Sequence, residues 1–333
     1  MELIHPIPPH TQEFFKTCKM IFLLLCVALL CTTVYSADSS VEWCYDKPTC
    51  DSTTWPKIAP QYCSGSRQSP INIVTSEVKA NSKLTSFTFT GFDDDSTLFS
   101  IGNTGDSVVV SLDGDTMKVE GGDLPGAYTS VQFHLHWGKG SSVNGSEHTV
   151  DGKRYPMELH IVSVHSKYNG SAKAAIDAHD PKGLAVLGFF IEGSNLTSKS
   201  KGWEILTSFL PNITNSSATT SDIINKTTMN SLLEGVDRTK YYRYEGSLTT
   251  PRCNEIVIWT VFKDTIKVNH ELIRLFSTTV QFKDTSTKIA NNFRGVQNMN
   301  GRIVTSQVAS ATSSSVIVFT FYILPIFPFI CWL

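Results

Sequence analysis

The sequence predicts a mainly β (α+β) fold: a single domain on a large central sheet, with a few short peripheral helices. Three observations predict it. Short runs with strand chemistry, punctuated by Gly and Asp clusters, recur at residues 87–92, 108–112 and 117–120. Two stretches, 132–137 and 158–162, alternate polar and apolar residues with the period of a half-buried strand. Two more, 184–191 and 256–262, are apolar throughout and read as strands buried on both faces.

Taken in order, the chain opens with Lys16 and Lys19 ahead of an apolar run at 20–30, and Val34-Tyr35-Ser36 closes it. This is the pattern of a secretory signal peptide over 1–36, with Met20 as a second candidate start. Residues 44–69 carry turn chemistry, including Pro48, Pro56, Pro60 and Gly65. Short helices are expected at 202–210 and at 269–276, the second capped by Asn269. The polar stretch 212–228 is expected to be a surface loop. No repeat or linker lies between Ser64 and Gln307, so 37–305 is expected to be one domain. Small residues crowd 306–315, and 316–333 is apolar, uncharged and without a basic flank. Pro325 and Pro328 suit a spanning helix poorly. Region 306–333 therefore reads as a GPI-anchor signal, attached between Ser306 and Ser314, with the tail removed. The expected location is the extracellular face of the plasma membrane.

A formal net charge of -2, with no basic patch, gives no reason to expect nucleic acid as a partner. Of eight cysteines, Cys44, Cys50, Cys63 and Cys253 lie outside the two terminal signals. Four cysteines in a secreted chain allow three pairings. The short spacing around Pro48 suits a local Cys44–Cys50 loop, which leaves Cys63–Cys253 as a long-range crosslink. N-x-S/T sequons stand at Asn144, Asn169, Asn195, Asn212, Asn215 and Asn225, as an exposed secreted surface would carry.

The chemistry concentrates in the two alternating stretches. In Gln132-Phe133-His134-Leu135-His136-Trp137 the carboxamide and both imidazoles share one face. In Glu158-Leu159-His160-Ile161-Val162, Glu158, His160 and Val162 do the same. Pairing these faces brings three imidazoles together. Three nitrogen ligands with one open position describe a catalytic zinc site. Gln132 and Glu158 are placed to accept the second N–H of a ligand ring.

With these stretches stand Arg67-Gln68-Ser69-Pro70-Ile71-Asn72-Ile73, Ser146-Glu147-His148-Thr149-Val150 and Gly246-Ser247-Leu248-Thr249-Thr250-Pro251. Together, over about residues 43–305, they resemble the α-class carbonic anhydrases. With the signal, the four cysteines and the anchor pattern, the chain is most similar to the membrane-bound isozyme IV group. The resemblance implies a mostly antiparallel twisted sheet with Zn2+ held by His134, His136 and His160 at the floor of a cleft. It implies that Gln132, Glu158 and Asn292 support those ligands, that Thr249 is the gatekeeper hydroxyl and that Glu147 orients it. Thr250 resembles a substrate-site neighbour, and Val162, Val186, Leu248 and Trp259 resemble the apolar wall that receives carbon dioxide. The Cys44–Cys50 and Cys63–Cys253 pairs match the paired cysteines of the same group. Zinc acidifies its bound water enough to supply hydroxide at neutral pH, an effect for which carbonic anhydrase is itself the reference case.

Efficient members of that family move protons through a cleft histidine, and Asp106 stands in the matching place after Asn103-Thr104-Gly105. An ordinary carboxylate titrates near about pH 4, so Asp106 is expected to be a weak proton relay with strong buffer dependence. His148 resembles a buried structural histidine rather than a relay. The competing class is a carbonic-anhydrase-like domain used only for binding. Retention of His134, His136, His160, Thr249 and Glu147 argues against it. A zinc protease would need H-E-x-x-H on a helix, and the sequence has none. Nothing in the sequence names a protein partner such as a bicarbonate transporter.

Overall fold

The computed structural model describes residues 42–140, 143–195, 200–283 and 285–308. The signal peptide expected at 1–36 and the apolar tail at 316–333 lie outside the described residues. Seven strands form the centre: β1 (Leu98–Asn103), β2 (Val108–Leu112), β3 (Tyr128–Trp137), β4 (Met157–His165), β5 (Leu184–Ser194), β6 (Tyr241–Gly246) and β7 (Val257–Phe262). They belong to a 13-stranded sheet in the order β1-β2-β3-β4-β5-β7-β6. Neighbours from β1 to β5 are antiparallel. β5 and β7 run parallel, and β7 returns antiparallel to β6. A parallel joint requires a long crossover, and the chain between β5 and β7 supplies one that carries helices and β6.

Alternation in sequence becomes two-sided burial. Phe133, Leu135, Trp137, Leu159, Ile161, Leu187 and Phe189 enter the main core on one face of the sheet. Val162, Val186, Phe190, Trp259 and Val261 fill a second cluster on the other. Every residue from Leu184 to Ile191 is buried, as its unbroken apolar run demands. Helix α1 (Lys201–Ser208) covers the main core with Trp203 and Leu206. Helix α2 (His270–Thr279) adds Leu272, Ile273 and Phe276, spaced to share one helical face. Asn269 caps α2, its side chain accepting from the Glu271 amide at 2.8 Å.

Several elements differ from the sequence expectation. β1 and β6 were not anticipated, nor was the short helix Ala172–Asp177. β1 ends in Gly102-Asn103, which reads as a turn; here Gly102 lets the 218–219 backbone and Thr219 approach closely. That approach pairs β1 with an edge strand, Thr219–Thr220, inside the segment expected to be loop. Among the described residues the last strand is Thr305–Ser306, where Ser306 pairs with Tyr242 and Ala80. Both expected disulfides are formed.

Cys63 and Cys253 are buried with Trp55 and Ala59, and they close a loop of sequence separation 190. Crosslinks that close long loops remove the most freedom from the unfolded chain. The double variant C63S/C253S is therefore expected to lose about 2–5 kcal/mol of unfolding free energy in urea titration. A loss below about 1 kcal/mol would show that this crosslink is not a main stabiliser.

Candidate active site

The β3–β4 register sets His160 directly across from His134 and Glu158 across from His136. The three imidazole rings stand 4.7 to 5.2 Å apart, centroid to centroid. Each ring is turned by an oxygen acceptor. Gln132 Oε1 takes His134 Nδ1 at 3.0 Å, the Asn292 carbonyl takes His136 Nδ1 at 2.7 Å, and Glu158 Oε1 takes His160 Nε2 at 2.6 Å. A nitrogen that donates carries the proton, so the lone pairs lie on His134 Nε2, His136 Nε2 and His160 Nδ1. Ligand atoms of these three residues lie within 4.8 Å of one another.

Two features fit this set to a metal ion. His136 Nε2 is buried and has no hydrogen-bond partner among the described residues, a need that a cation would satisfy. Burial, together with the neighbouring imidazoles, holds the pKa of His134 well below the ordinary histidine value. Burial also lowers that of His136, with Glu147 opposing. Neutral imidazoles are the ligand form. Gly188, across from His160 on β5, keeps the support close: a Cβ there would meet Glu158 Oε1 at 3.1 Å.

His148, Glu158 and His160 also cluster, but as a support. The Glu158 carboxylate accepts from His148 Nδ1 at 2.7 Å, and His148 Nε2 meets the Tyr244 hydroxyl at 2.7 Å. His148 is fully buried by these bonds, in keeping with a structural role.

Glu147 is 0% exposed. Its Oε1 accepts from the Arg294 amide at 2.8 Å. Its Oε2 makes no hydrogen bond and faces His136 Nε2 at 3.5 Å and His160 Nδ1 at 3.9 Å. The bond expected from Thr249 to this carboxylate is not made in this structure, although Thr249 is itself buried. Val162, Val186 and Trp259 share one apolar cluster with Leu248 packed against it, and the Trp259 ring lies 4.8 Å from His160. The wall and the imidazoles therefore adjoin.

Asn292 uses three polar groups at once. Its carbonyl holds His136, its Oδ1 takes the Trp137 amide at 2.8 Å, and its Nδ2 donates to the Asp106 carbonyl at 2.9 Å. Asp106 is thereby tied to the ligand strand. Its carboxyl is not ordinary: burial pushes it up to about 6, with Lys283 pulling down and Asp46 pushing up. The expected pKa near the usual carboxylate range is corrected by that burial.

A family model for eukaryotic-type carbonic anhydrase matches residues 50–308. The chain belongs to that family. It is 37% identical over 286 residues to carbonic anhydrase 4 of Mus musculus, covering 85% of this chain and 89% of the relative. It is 34% identical to carbonic anhydrase 6 of Bos taurus, covering 85% and 86%. To carbonic anhydrase 12 of Homo sapiens it is 34% identical, covering 79% and 72%. The protein is thus a carbonic anhydrase, a carbonate dehydratase that interconverts carbon dioxide and bicarbonate.

In this carbonic anhydrase the sequence reading missed two arginines. Arg154 donates to the carbonyls of Ser146 and Glu147 and lies over the Phe293 ring at 4.5 Å. Arg294 is 0% exposed. Burial lowers its pKa to about 10, with Glu147 opposing, so it remains a cation at neutral pH. A lone arginine in an irregular stretch gives no periodic signal; only its nearness in sequence to Asn292 pointed that way.

Residues that orient a metal ligand tune affinity without touching the ion. Gln132→Ala is expected to weaken metal binding about 10- to 100-fold in a chelator competition titration. An unchanged affinity would remove Gln132 from the ligand support.

Proposed function

We propose that this carbonic anhydrase uses zinc held by His134, His136 and His160 and works at the outer surface of the plasma membrane, on a GPI anchor. The carrying observation is the convergence of three imidazoles, each fixed by its own oxygen acceptor. When bound by these three rings, zinc would supply the acidity that makes water a nucleophile near neutral pH. The rest is done by the chain. Gln132, Asn292 and Glu158 hold the rings in place. Val162, Val186, Leu248 and Trp259 offer carbon dioxide an apolar surface beside the imidazoles. Thr250 contacts the substrate. Thr249 would accept the hydrogen bond of the attacking oxygen and donate its own to Glu147 Oε2, the carboxylate atom otherwise without a partner. Such a pre-aligned hydroxyl directs the nucleophile before reaction.

Asp106 is the proposed proton relay. A group transfers protons best when its pKa lies near the working pH. At about 6 the Asp106 carboxyl is much better matched than an ordinary one, and it is an acceptor above that pH. Hydration of carbon dioxide should be measured on the purified protein and on Asp106→Asn, at low and high imidazole, with zinc content assayed on each sample. The variant is expected to lose roughly tenfold or more at low buffer and pH above about 6, and to recover with imidazole. Equal rates at low buffer would overturn the relay. No activity despite bound zinc would overturn the zinc-hydratase reading.

Location rests on the terminal patterns and on surface chemistry. Disulfides belong to oxidising compartments. Asn144, Asn169, Asn195, Asn212, Asn215 and Asn225 are all exposed, as glycan acceptors must be. Among the described residues no helix is long and apolar enough to cross a membrane. Ser306 is 4% exposed, and its hydroxyl donates to the Tyr241 carbonyl. Ser306 is thus built into the sheet, which favours the later serines of the 306–314 window as the attachment site. Treatment of expressing cells with phosphatidylinositol-specific phospholipase C is expected to release the protein; retention would argue for a spanning or tail-anchored form.

A further inference from the structure

The Glu147 carboxylate is held from behind. Among the described residues the only hydrogen bond to it comes from the Arg294 amide, at Oε1, because Oε2 has no partner. That one bond sets which way Oε2 faces. The position of an amide follows the position of its residue, and Arg294 is anchored by its own side chain. Nη1 donates to Gln68 Oε1 and to the Ser69 carbonyl, both at 2.9 Å, and Nη2 to the Cys63 carbonyl at 3.3 Å. A buried guanidinium is tolerated only where such acceptors surround it.

Gln68 is itself 3% exposed. Its Nε2 donates to the carbonyls of Tyr62 and Cys253 at 3.0 and 3.1 Å, and to Glu255 Oε1 at 2.9 Å. The Arg294–Gln68 pair therefore grips the carbonyls of both half-cystines of the long crosslink. On its other side it presents an amide to Glu147. The route from crosslink to carboxylate runs through hydrogen bonds between buried groups: Cys63 and Cys253 to Arg294 and Gln68, then the Arg294 amide to Glu147.

We propose that Arg294 is a positioning residue for Glu147, and that the Cys63–Cys253 crosslink acts on the active site through Arg294 and Gln68. The proposal rests on the reading of Glu147 as the carboxylate that orients Thr249. Arg294 touches neither substrate nor metal ligand in this account; it sets the angle of a group that does.

The test uses the purified full-length enzyme. In metal-free protein, hydrogen exchange at the residue-294 amide is expected to accelerate at least about tenfold in Arg294→Met relative to neighbouring amides. In zinc-loaded protein of equal metal content, kcat is expected to fall about 10- to 100-fold, since small misplacements at a reacting centre have effects of that size. KM should stay within about twofold. Arg294→Lys should recover part of the loss. The kcat losses of Arg294→Met and C63S/C253S should not multiply in the combined variant, because both cut one route. Should Arg294→Met fail to fold, Gln68→Met removes one acceptor while keeping the cation, and the same amide and kcat are read. Unchanged exchange, a kcat that merely tracks the folded fraction, or multiplying losses would overturn the proposal. Glu147→Gln separates the two readings. Wild-type kcat in that variant would overturn the role of Glu147, while the exchange data still judge Arg294 on its own.

Discussion

Three imidazoles can share a small space only if none carries a proton on the nitrogen that faces the others. Two protonated rings at this distance would repel, and burial makes that repulsion worse. The structure meets the constraint with oxygen. A carboxamide, a backbone carbonyl and a carboxylate each take one ring N–H, and the lone pairs are left facing inward. Those three acceptors must be held in turn. Glu158 is braced by His148, which Tyr244 holds in turn, and Asn292 by the backbone of β3. Much of the polar chemistry on that face of the sheet serves to keep protons off three nitrogens.

The same logic explains why the ligand strands were legible. A strand with one polar and one apolar face writes its purpose in alternate letters, so His134, His136 and His160 could be assigned to one face before any pairing was known. Their convergence depends on register, and the antiparallel pairing of β3 with β4 provides it by setting His160 opposite His134. The apolar runs at 184–191 and 256–262 were legible for a different reason, since no helix-like spacing competed with them. Counting left three cysteine pairings once the terminal segments were set aside, and the short Cys44–Cys50 spacing favoured the one that is formed.

What stayed hidden depends on distant parts of the chain. Asp106 looked like an ordinary loop carboxylate because its burial, and the charges of Lys283 and Asp46 around it, are invisible from its neighbours in sequence. β6, Tyr-Tyr-Arg-Tyr-Glu-Gly, mixes charge with aromatics and shows no clean period; it is a strand because β7 and Thr305–Ser306 flank it. Arg294 gave no sign of its place between the crosslink and Glu147. In each case a tertiary environment overrides a weak local signal.

The parallel joint between β5 and β7 has a consequence for how the protein comes into being. The three converging imidazoles all lie on β3 and β4, antiparallel neighbours close in sequence. Thr249 and Trp259 come much later in the chain, and Trp259 joins the sheet across the long crossover. Contacts between distant parts of a chain form slowly, and synthesis runs from the N-terminus. In order of synthesis, then, the two strands that bring the imidazoles together precede the segment that closes the sheet, while Asn292, which fixes the His136 ring, arrives after both.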